Sequence, residues 1–342
     1  MKLKQHNSTF AIKLTVAVIV AFAAMAVSCC LGSSSVTLKE VFLYITGRKD
    51  ELSGKTVLIL GGIRIPRVIT AAIIGGNLAL IGSVMQGLLK NPMADPSILG
   101  VSSGSALGAT VAIMIGASGT FLGGSLTGTY VGAIIGALIT WAIVFSFARL
   151  AGEFDTSSTL LAGVAVSSIM TGIITFLMTL RRETMEKIYM WMLGSLSFST
   201  ESRMWILIVV TAVLATAIII LAARIDVLKL GKETAHTLGV GTNMTLGLLM
   251  FTSSVLLAFC VASSGIIGFV GLVIPHIVSF FRVYKARQKA LMSFFVGAAF
   301  LVICDTISKT IVSPGEVAVG AVTSLIGAPY FLFLLIKNRR NR

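Results

Sequence analysis

Long apolar runs broken by short polar segments dominate the chain from residue 11 to residue 337. A bilayer core about 30 Å thick is crossed by about 20 helical residues. A window of that length settles on residues 11–31, 64–88, 98–117, 127–148, 158–180, 204–222, 244–263, 266–282, 290–312 and 316–337. The pattern predicts an all-α, polytopic membrane protein with about ten transmembrane helices in a single transmembrane unit, 1–342. Only Ser263-Ser264-Gly265 separates the seventh and eighth runs, and Pro275 lies inside the eighth. An even number of crossings places both termini on one side.

The polar breaks differ in character. Arg64 and Arg67 open the second run, and Lys90-Asn91-Pro92-Met93-Ala94-Asp95-Pro96 closes it. Prolines there end one helix and hold the residue before each of them extended. The longest break, "RIDVLKLGKETAHTLGVGTN" over 224–243, is amphipathic: Leu228, Ala235 and Leu238 interleave with Lys229, Lys232, Glu233 and His236. Glu233 suits a helix start, where negative charge is favoured, and Gly239 to Gly241 suits its end. Two readings fit: a short helix lying at the membrane interface, or a docking element for a cytoplasmic protein.

Composition narrows the solvent. Hydrophobic residues make up 56% of the 342, mean hydropathy is +0.98, and 12% are charged, against about 25% in soluble domains. That excludes a soluble globule. The 34 glycines suit close helix approach in lipid. A net charge of +14 does not indicate nucleic acid, because the basic residues sit in short clusters between apolar runs. With the N-terminus inside, the inner segments hold the larger share, including Lys2, Lys4, Arg224, Lys229, Arg282, Lys285 and Arg339. This bias places both termini in the cytoplasm. The outer cations, among them Arg64, Arg67 and Lys309, are more numerous than that rule requires and ask for a purpose. The first run follows Lys2 and Lys4 and contains Ala26-Val27-Ser28-Cys29, which has the look of a lipoprotein cleavage site. Its length suits a retained first helix.

Candidate chemistry is sparse. Gly54-Lys55-Thr56 could end a P-loop, but that motif needs glycine at position 49, which is Lys. No H-E-x-x-H, G-x-S-x-G or paired-carboxylate site is present, no cysteine pair forms C-x-x-C, and His236 and His276 lie far apart. No catalytic residue, metal site or cofactor is expected. Energised transport then needs a partner or an ion gradient. Coupling to an ion gradient leaves acids within spans, and Asp305 and Glu316 are the candidates.

Several stretches together carry a resemblance: "RIPRVITAAIIGGNLALIGSVMQGLLKNPMADPSILGVSSGSALGA", "TLLAGVAVSS", "YMWMLGSL", "LGKETAHTLGV", "GIIGFVGLVIPHIVSFF" and "GAVTSLIGAPYFLFLL". In this order they resemble the permease subunits of bacterial ABC importers for iron–siderophore, haem and vitamin B12, the FecCD-like group of type II importers. The resemblance implies a type II importer permease fold in the bacterial cytoplasmic membrane. It also implies a second permease subunit, identical or homologous, two cytoplasmic ATP-binding subunits and an extracytoplasmic binding protein. Arg64 and Arg67 match arginines that pair with acids of the binding protein, and Lys309 matches a third outer cation where Arg is frequent. Asn91 and Met93, with Thr156 and Ser157, match the cytoplasmic gate. Leu230, Gly231, Lys232, Glu233, His236, Leu238 and Gly239 match the coupling helix for the ATPase. Lys232 stands there in place of a frequent acid, and His236 near a usual arginine. Ferric siderophores are the cargo this family most often implies, with haem and cobalamin as alternatives. An ion-gradient-driven transporter is the competing class.

Overall fold

The computed structural model describes the chain except residues 1, 33, 35, 118–119, 122–125, 151–155, 198, 313–314 and 341–342; it leaves aside the side chains of 2–8, 120–121, 156–157, 232, 334–335 and 337–340. In chain order the helices begin with α1 (Lys2–Cys30), α2 (Leu38–Ile45), α3 (Gly54–Ile59), α4 (Ile65–Leu88) and α5 (Val101–Met114). A two-residue hairpin, Thr120–Phe121 with Leu126–Thr127, leads into α6 (Gly128–Leu150) and α7 (Thr156–Leu180). Then follow α8 (Met185–Met192), α9 (Glu201–Leu228), α10 (Lys232–Thr237), α11 (Thr242–Ser264), α12 (Val270–Phe280), α13 (Ala286–Thr310) and α14 (Val319–Arg340). Among the described residues the fold is all-α apart from that hairpin.

Seven stretches among the described residues are long and apolar enough to cross a membrane, and shorter apolar helices stand at Val101–Met114, Val270–Phe280 and Val319–Phe333. Together they occupy the ten expected positions. Four differ most from expectation in extent, the sixth because α9 runs on to Leu228. The second begins ten residues early: α3 and α4 form one helix, Gly54–Leu88, joined through a π turn at Leu60–Arg64 in which the Ile65 N–H donates to the Leu60 carbonyl. Pro66 therefore lies well inside a helix, not in its first turn. The wide turn before it takes up the ring and the missing N–H. The third span is short because Gly100 takes a left-handed conformation (φ 76°), and the eighth because Phe269 does (φ 67°).

Helix α4 is the axis of the bundle. In its most apolar window 89% of residues are buried, against 11% for α1 and 17% for α7. Those two helices owe their stability to lipid or to another subunit. Glycine sets how closely the inner helices meet. On α5, Gly104 and Gly108 face Gly132 and Gly136 of α6; a Cβ on Gly108 would stand 2.0 Å from the Gly132 carbonyl oxygen. Helix α4 meets α13 at Gly75 and Gly297, and α12 at Gly82 and Gly271. Such backbone-to-backbone contact supplies dispersion where lipid removes the hydrophobic drive between helices.

Candidate functional site

One end of the bundle is organised by three cations. Arg67, 8% exposed, donates through Nε to both oxygens of Asp305 at 3.0 and 3.1 Å and through Nη2 to Asp305 Oδ1 at 2.9 Å. Its Nη1 reaches Glu316 Oε1 at 2.7 Å. Arg64 donates to the carbonyls of Cys29 (2.7 Å) and Cys30 (3.0 Å) and to Ser34. Lys309 donates to the carbonyl and hydroxyl of Ser28 at 2.7 and 3.1 Å. Arg64 and Lys309 thus satisfy carbonyls at the end of α1 that have no intrahelical donor, and Arg67 joins α4, α13 and the segment before α14.

These are internal roles. The helix does not start at Arg64, and all three cations are buried. Docking by Arg64, Arg67 and Lys309 would require them to give up these partners. Asp305 and Glu316, sequence candidates for ion coupling, are the partners of Arg67.

Glu316 also accepts from Ser197 Oγ at 2.6 Å. Burial pushes its carboxyl up, but the hydrogen bonds from Arg67 and Ser197 and the Arg67 charge outweigh this and hold it below the ordinary range. A carboxyl depressed in the folded state stabilises the fold above its unfolded pKa, about 4.3, and loses that contribution as pH falls through the folded value. Glu316→Gln is therefore expected to lower the thermal midpoint at pH 7 but to differ little from wild type near pH 3. Parallel unfolding curves in detergent check this.

The opposite end holds the loop after α4. The Asn91 carbonyl accepts from the Ala94 N–H (3.1 Å), Asn91 Oδ1 from the Met93 N–H (2.9 Å), and Asp95 Oδ1 from the Ser97 N–H (2.8 Å). Asn91 and Met93 are exposed while Ala94 and Pro96 are buried. The turn at Pro96–Leu99 packs on α7, where a Cβ on Gly163 would meet the Ile98 carbonyl at 2.1 Å. Thr156 and Ser157 open α7 about 10 Å before Gly163; their side chains lie outside the described residues.

At the same end, α10 begins after Gly231 (φ 109°) and stops before Gly239 (φ 77°). Both glycines hold conformations that side chains resist. Ala235 is fully buried, whereas Glu233 and His236 are exposed, as are Leu230 (63%) and Leu238 (59%). Ala235 thus anchors α10 to its neighbours, and Leu230 and Leu238 stand exposed at its ends. The Lys232 side chain lies outside the described residues. Asp226, at the end of α9, accepts from the Ala286 N–H at 2.9 Å and pairs with Lys229 at 2.9 Å. This ties the run into α10 to the start of α13.

Sequence reasoning passed over one feature. Helix α7 exposes Ser168, Thr171, Gly172, Thr175 and Thr179 along one face. Each of the four hydroxyls donates to the carbonyl four residues earlier, at 2.8–3.0 Å. The three-and-four spacing was readable in the sequence.

A model of the FecCD transport family matches residues 18–337. The chain belongs to that family. Among FecCD relatives, the cobalamin import system permease BtuC of Halobacterium salinarum is 38% identical over 278 residues, 81% of this chain and 73% of that one. The hemin transport system permease HmuU of Yersinia pestis is 37% identical over 298 residues, 82% and 84% of the two chains. An inward-facing metal-chelate type ABC transporter superposes with a TM-score of 0.83 at 28% identity, covering 95% of this chain and 98% of that chain. This FecCD chain is accordingly a multi-pass permease subunit of an ABC transporter with the type II importer permease fold. ATP hydrolysis lies in a separate subunit. Gly54-Lys55-Thr56 has a structural use instead: Ser53 caps α3 by accepting from the Thr56 N–H at 3.1 Å.

Proposed function

We propose that this permease imports ferric siderophores across the bacterial cytoplasmic membrane, with both termini in the cytoplasm and the Arg67 end outside. The observation that carries a path is the exposed hydroxyl face of α7. It runs for about 17 Å from Ser168 to Thr179, and the backbone bonds of its hydroxyls leave oxygen lone pairs as acceptors towards a polar cargo. A second permease subunit, identical or homologous, sets its own α7 opposite and completes the path. A binding protein delivers cargo to the outer face, which Arg64, Arg67 and Lys309 brace from within. Asn91 and Met93, with Thr156 and Ser157 on α7, form the inner constriction, because the 96–99 turn and α7 move as one packed unit. The chelate relatives include hemin and cobalamin permeases, and haem or cobalamin is the second reading of the cargo.

Within the single unit 1–342, the segment 224–243 is the coupling element. Leu230 and Leu238 offer apolar knobs to an ATPase surface, flanked by Gly231, Lys232, Glu233, His236 and Gly239. Two ATP-binding subunits per complex take one such element each. The double change Leu230→Asp and Leu238→Asp is expected to cut ATPase co-purification at least tenfold, because two buried leucines contribute about 1.5–3 kcal/mol each. Glu233→Arg should give a smaller, salt-dependent loss. Unchanged recovery in both variants would remove α10 as the docking element.

The decisive experiment is reconstitution of the permease, its ATPase and binding protein in liposomes with iron-55 siderophore outside. Uptake should need internal or external ATP on the ATPase side and persist when ion gradients are collapsed. Uptake that survives without the ATPase and fails on gradient collapse would assign the chain to the secondary transporters.

A further inference from the structure

A groove of about 310 Å3 runs along α1, backed by α12 and α13. Ala17, Met292 and Ala299 form its buried floor, and Ile12, Val16 and Val20 stand exposed along its edge. From Ile12 to Val20 it follows α1 for about 12 Å, close to the about 15 Å of apolar depth in one leaflet. Among the described residues Lys13 is the one charged group in its lining. A channel so apolar, on a helix so little covered by protein, suits an acyl chain.

Lys13 closes the groove at the N-terminal end of α1. Its Nζ donates to the Phe281 carbonyl at 2.8 Å, just past the end of α12, and an ammonium has two further N–H groups to give. Lys13 also lines a small recess with Phe10, Arg282 and Gln288. Phe10 and Gln288 belong in turn to a third space, lined by Lys285 and Arg287. Four cations thus gather at one end of the groove. The one acid among the described residues lining these spaces is Asp226, which is engaged with Lys229 and the Ala286 N–H. None of the four cations is paired with an acid among the described residues.

Arg282 adds an observation of a different kind. It stands in the turn between α12 and α13 with φ 55°, its N–H donating to the Ser279 carbonyl at 3.0 Å. This left-handed conformation disfavours a long side chain and suits glycine. The turn by itself would be better made with glycine, and an outlier of this kind points to a use for the side chain. We propose that an anionic phospholipid occupies the groove, one acyl chain against Ala17 and Ala299 and its phosphate among Lys13, Arg282, Lys285 and Arg287. Basic pockets between membrane helices hold anionic headgroups in this way. A soluble subunit with an acidic surface is the other occupant such a cluster could take. Lipid fits better because Lys13 lies about 6 Å inside the span that begins at Thr9, at the mouth of an apolar channel. The site goes beyond the transport reading and is independent of the cargo: the lipid staples α1 to the α12–α13 pair.

The test uses the full-length permease with its ATPase in detergent, and two lipids with identical chains, dioleoylphosphatidylglycerol and dioleoylphosphatidylcholine. Native mass spectrometry gives the apparent Kd of the first bound lipid of each kind. Phosphatidylglycerol should bind at least tenfold more tightly. Arg282→Gly should weaken it about fivefold, as for loss of one basic residue at an anionic surface, and leave phosphatidylcholine unchanged. Because glycine relieves the backbone, the thermal midpoint of Arg282→Gly without added lipid should hold or rise, which loss of a merely structural arginine would not produce. Lys13→Gln should weaken phosphatidylglycerol likewise, and Val296→Phe, which narrows the groove, should weaken both lipids. Equal affinity for the two lipids would overturn the proposal, as would a preference for phosphatidylglycerol unaltered by both Arg282→Gly and Lys13→Gln. If Arg282→Gly keeps the lipid preference and loses the ATPase instead, the cations belong to that interface and the proposal falls.

Discussion

Replacing Asp305 by alanine is expected to abolish recovery of folded permease. The side chain is fully buried and receives three hydrogen bonds from Arg67. Without it, a guanidinium remains in the low-dielectric interior with only Glu316 as counter-charge, and Glu316 is partly exposed. Breaking a buried pair from one side costs about 3–5 kcal/mol, a large share of the about 5–15 kcal/mol by which folded proteins are stable. Arg67→Ala should be as damaging, because it strands the Asp305 carboxylate. The double change Arg67→Leu and Asp305→Leu removes both charges together and should recover much of the loss, since an apolar pair of similar volume often matches a buried ion pair. Monodisperse yield on size exclusion and thermal midpoints of the three variants check this. An Asp305→Ala protein as stable as wild type would show that the cluster is dispensable.

The second large effect is expected at Gly82. A Cβ there would lie 1.9 Å from the Gly271 carbonyl oxygen and 2.6 Å from its Cα. Both neighbours are backbone, so neither can rotate away. The far side of Gly271 is closed as well, by the Pro96 ring at 2.6 Å. Helices α4 and α12 would have to part by over an ångström, weakening the bonds from Gln86 to the carbonyls of Gly271 (3.4 Å) and Leu272 (3.1 Å). Overpacking costs about 1–3 kcal/mol in cores that can adjust, and Gly82→Leu should exceed that range and give no folded protein. Gly82→Ala should fold with a lowered thermal midpoint. Gly247→Ala is the control: nothing stands within 4 Å of its Cβ position, and alanine gains about 1 kcal/mol of helix propensity. Equal behaviour of Gly82→Ala and Gly247→Ala would contradict this packing.

The two residues show what sequence alone makes legible. The long apolar runs, their order and their approximate ends follow from a bilayer-length window, because span length is set by lipid and not by tertiary context. Whether Arg67 faces water or Asp305 is not a local property. Its partner lies 238 positions away, and hydropathy records the charge without its neighbour. Gly54 to Gly62 falls outside the bilayer-length windows, and the continuous α3–α4 hydrogen bonding makes it helix. The short α5 and α12 were lengthened in the window because one left-handed residue, Gly100 or Phe269, does not lower mean hydropathy. Over 224–243 the alternation of Leu228, Ala235 and Leu238 is visible in the sequence, yet which apolar residue is covered depends on α9 and α11. The hydroxyl face of α7 was legible in principle, since serine and threonine at that spacing on an apolar helix mark one side.

The π turn at Leu60–Arg64 acts as a clocking element between two parts of the same helix. One surplus residue sets the angle at which α3 leaves α4. It also sets where Gly61 passes beneath Tyr44, whose hydroxyl lies 2.3 Å from a Cβ built there, and where Thr56 meets Glu40 at 3.4 Å. Removing one residue from this turn would convert it to ordinary α-helix. The whole preceding segment would then rotate by about 100° and shift by about 1.5 Å. Arg67 and the core below it would keep their phase, while α2 and α3 would swing to a different bearing on the membrane surface. Insertions and deletions in these five positions therefore act as a dial on the cap formed by α2 and α3, with the core of the bundle left in place.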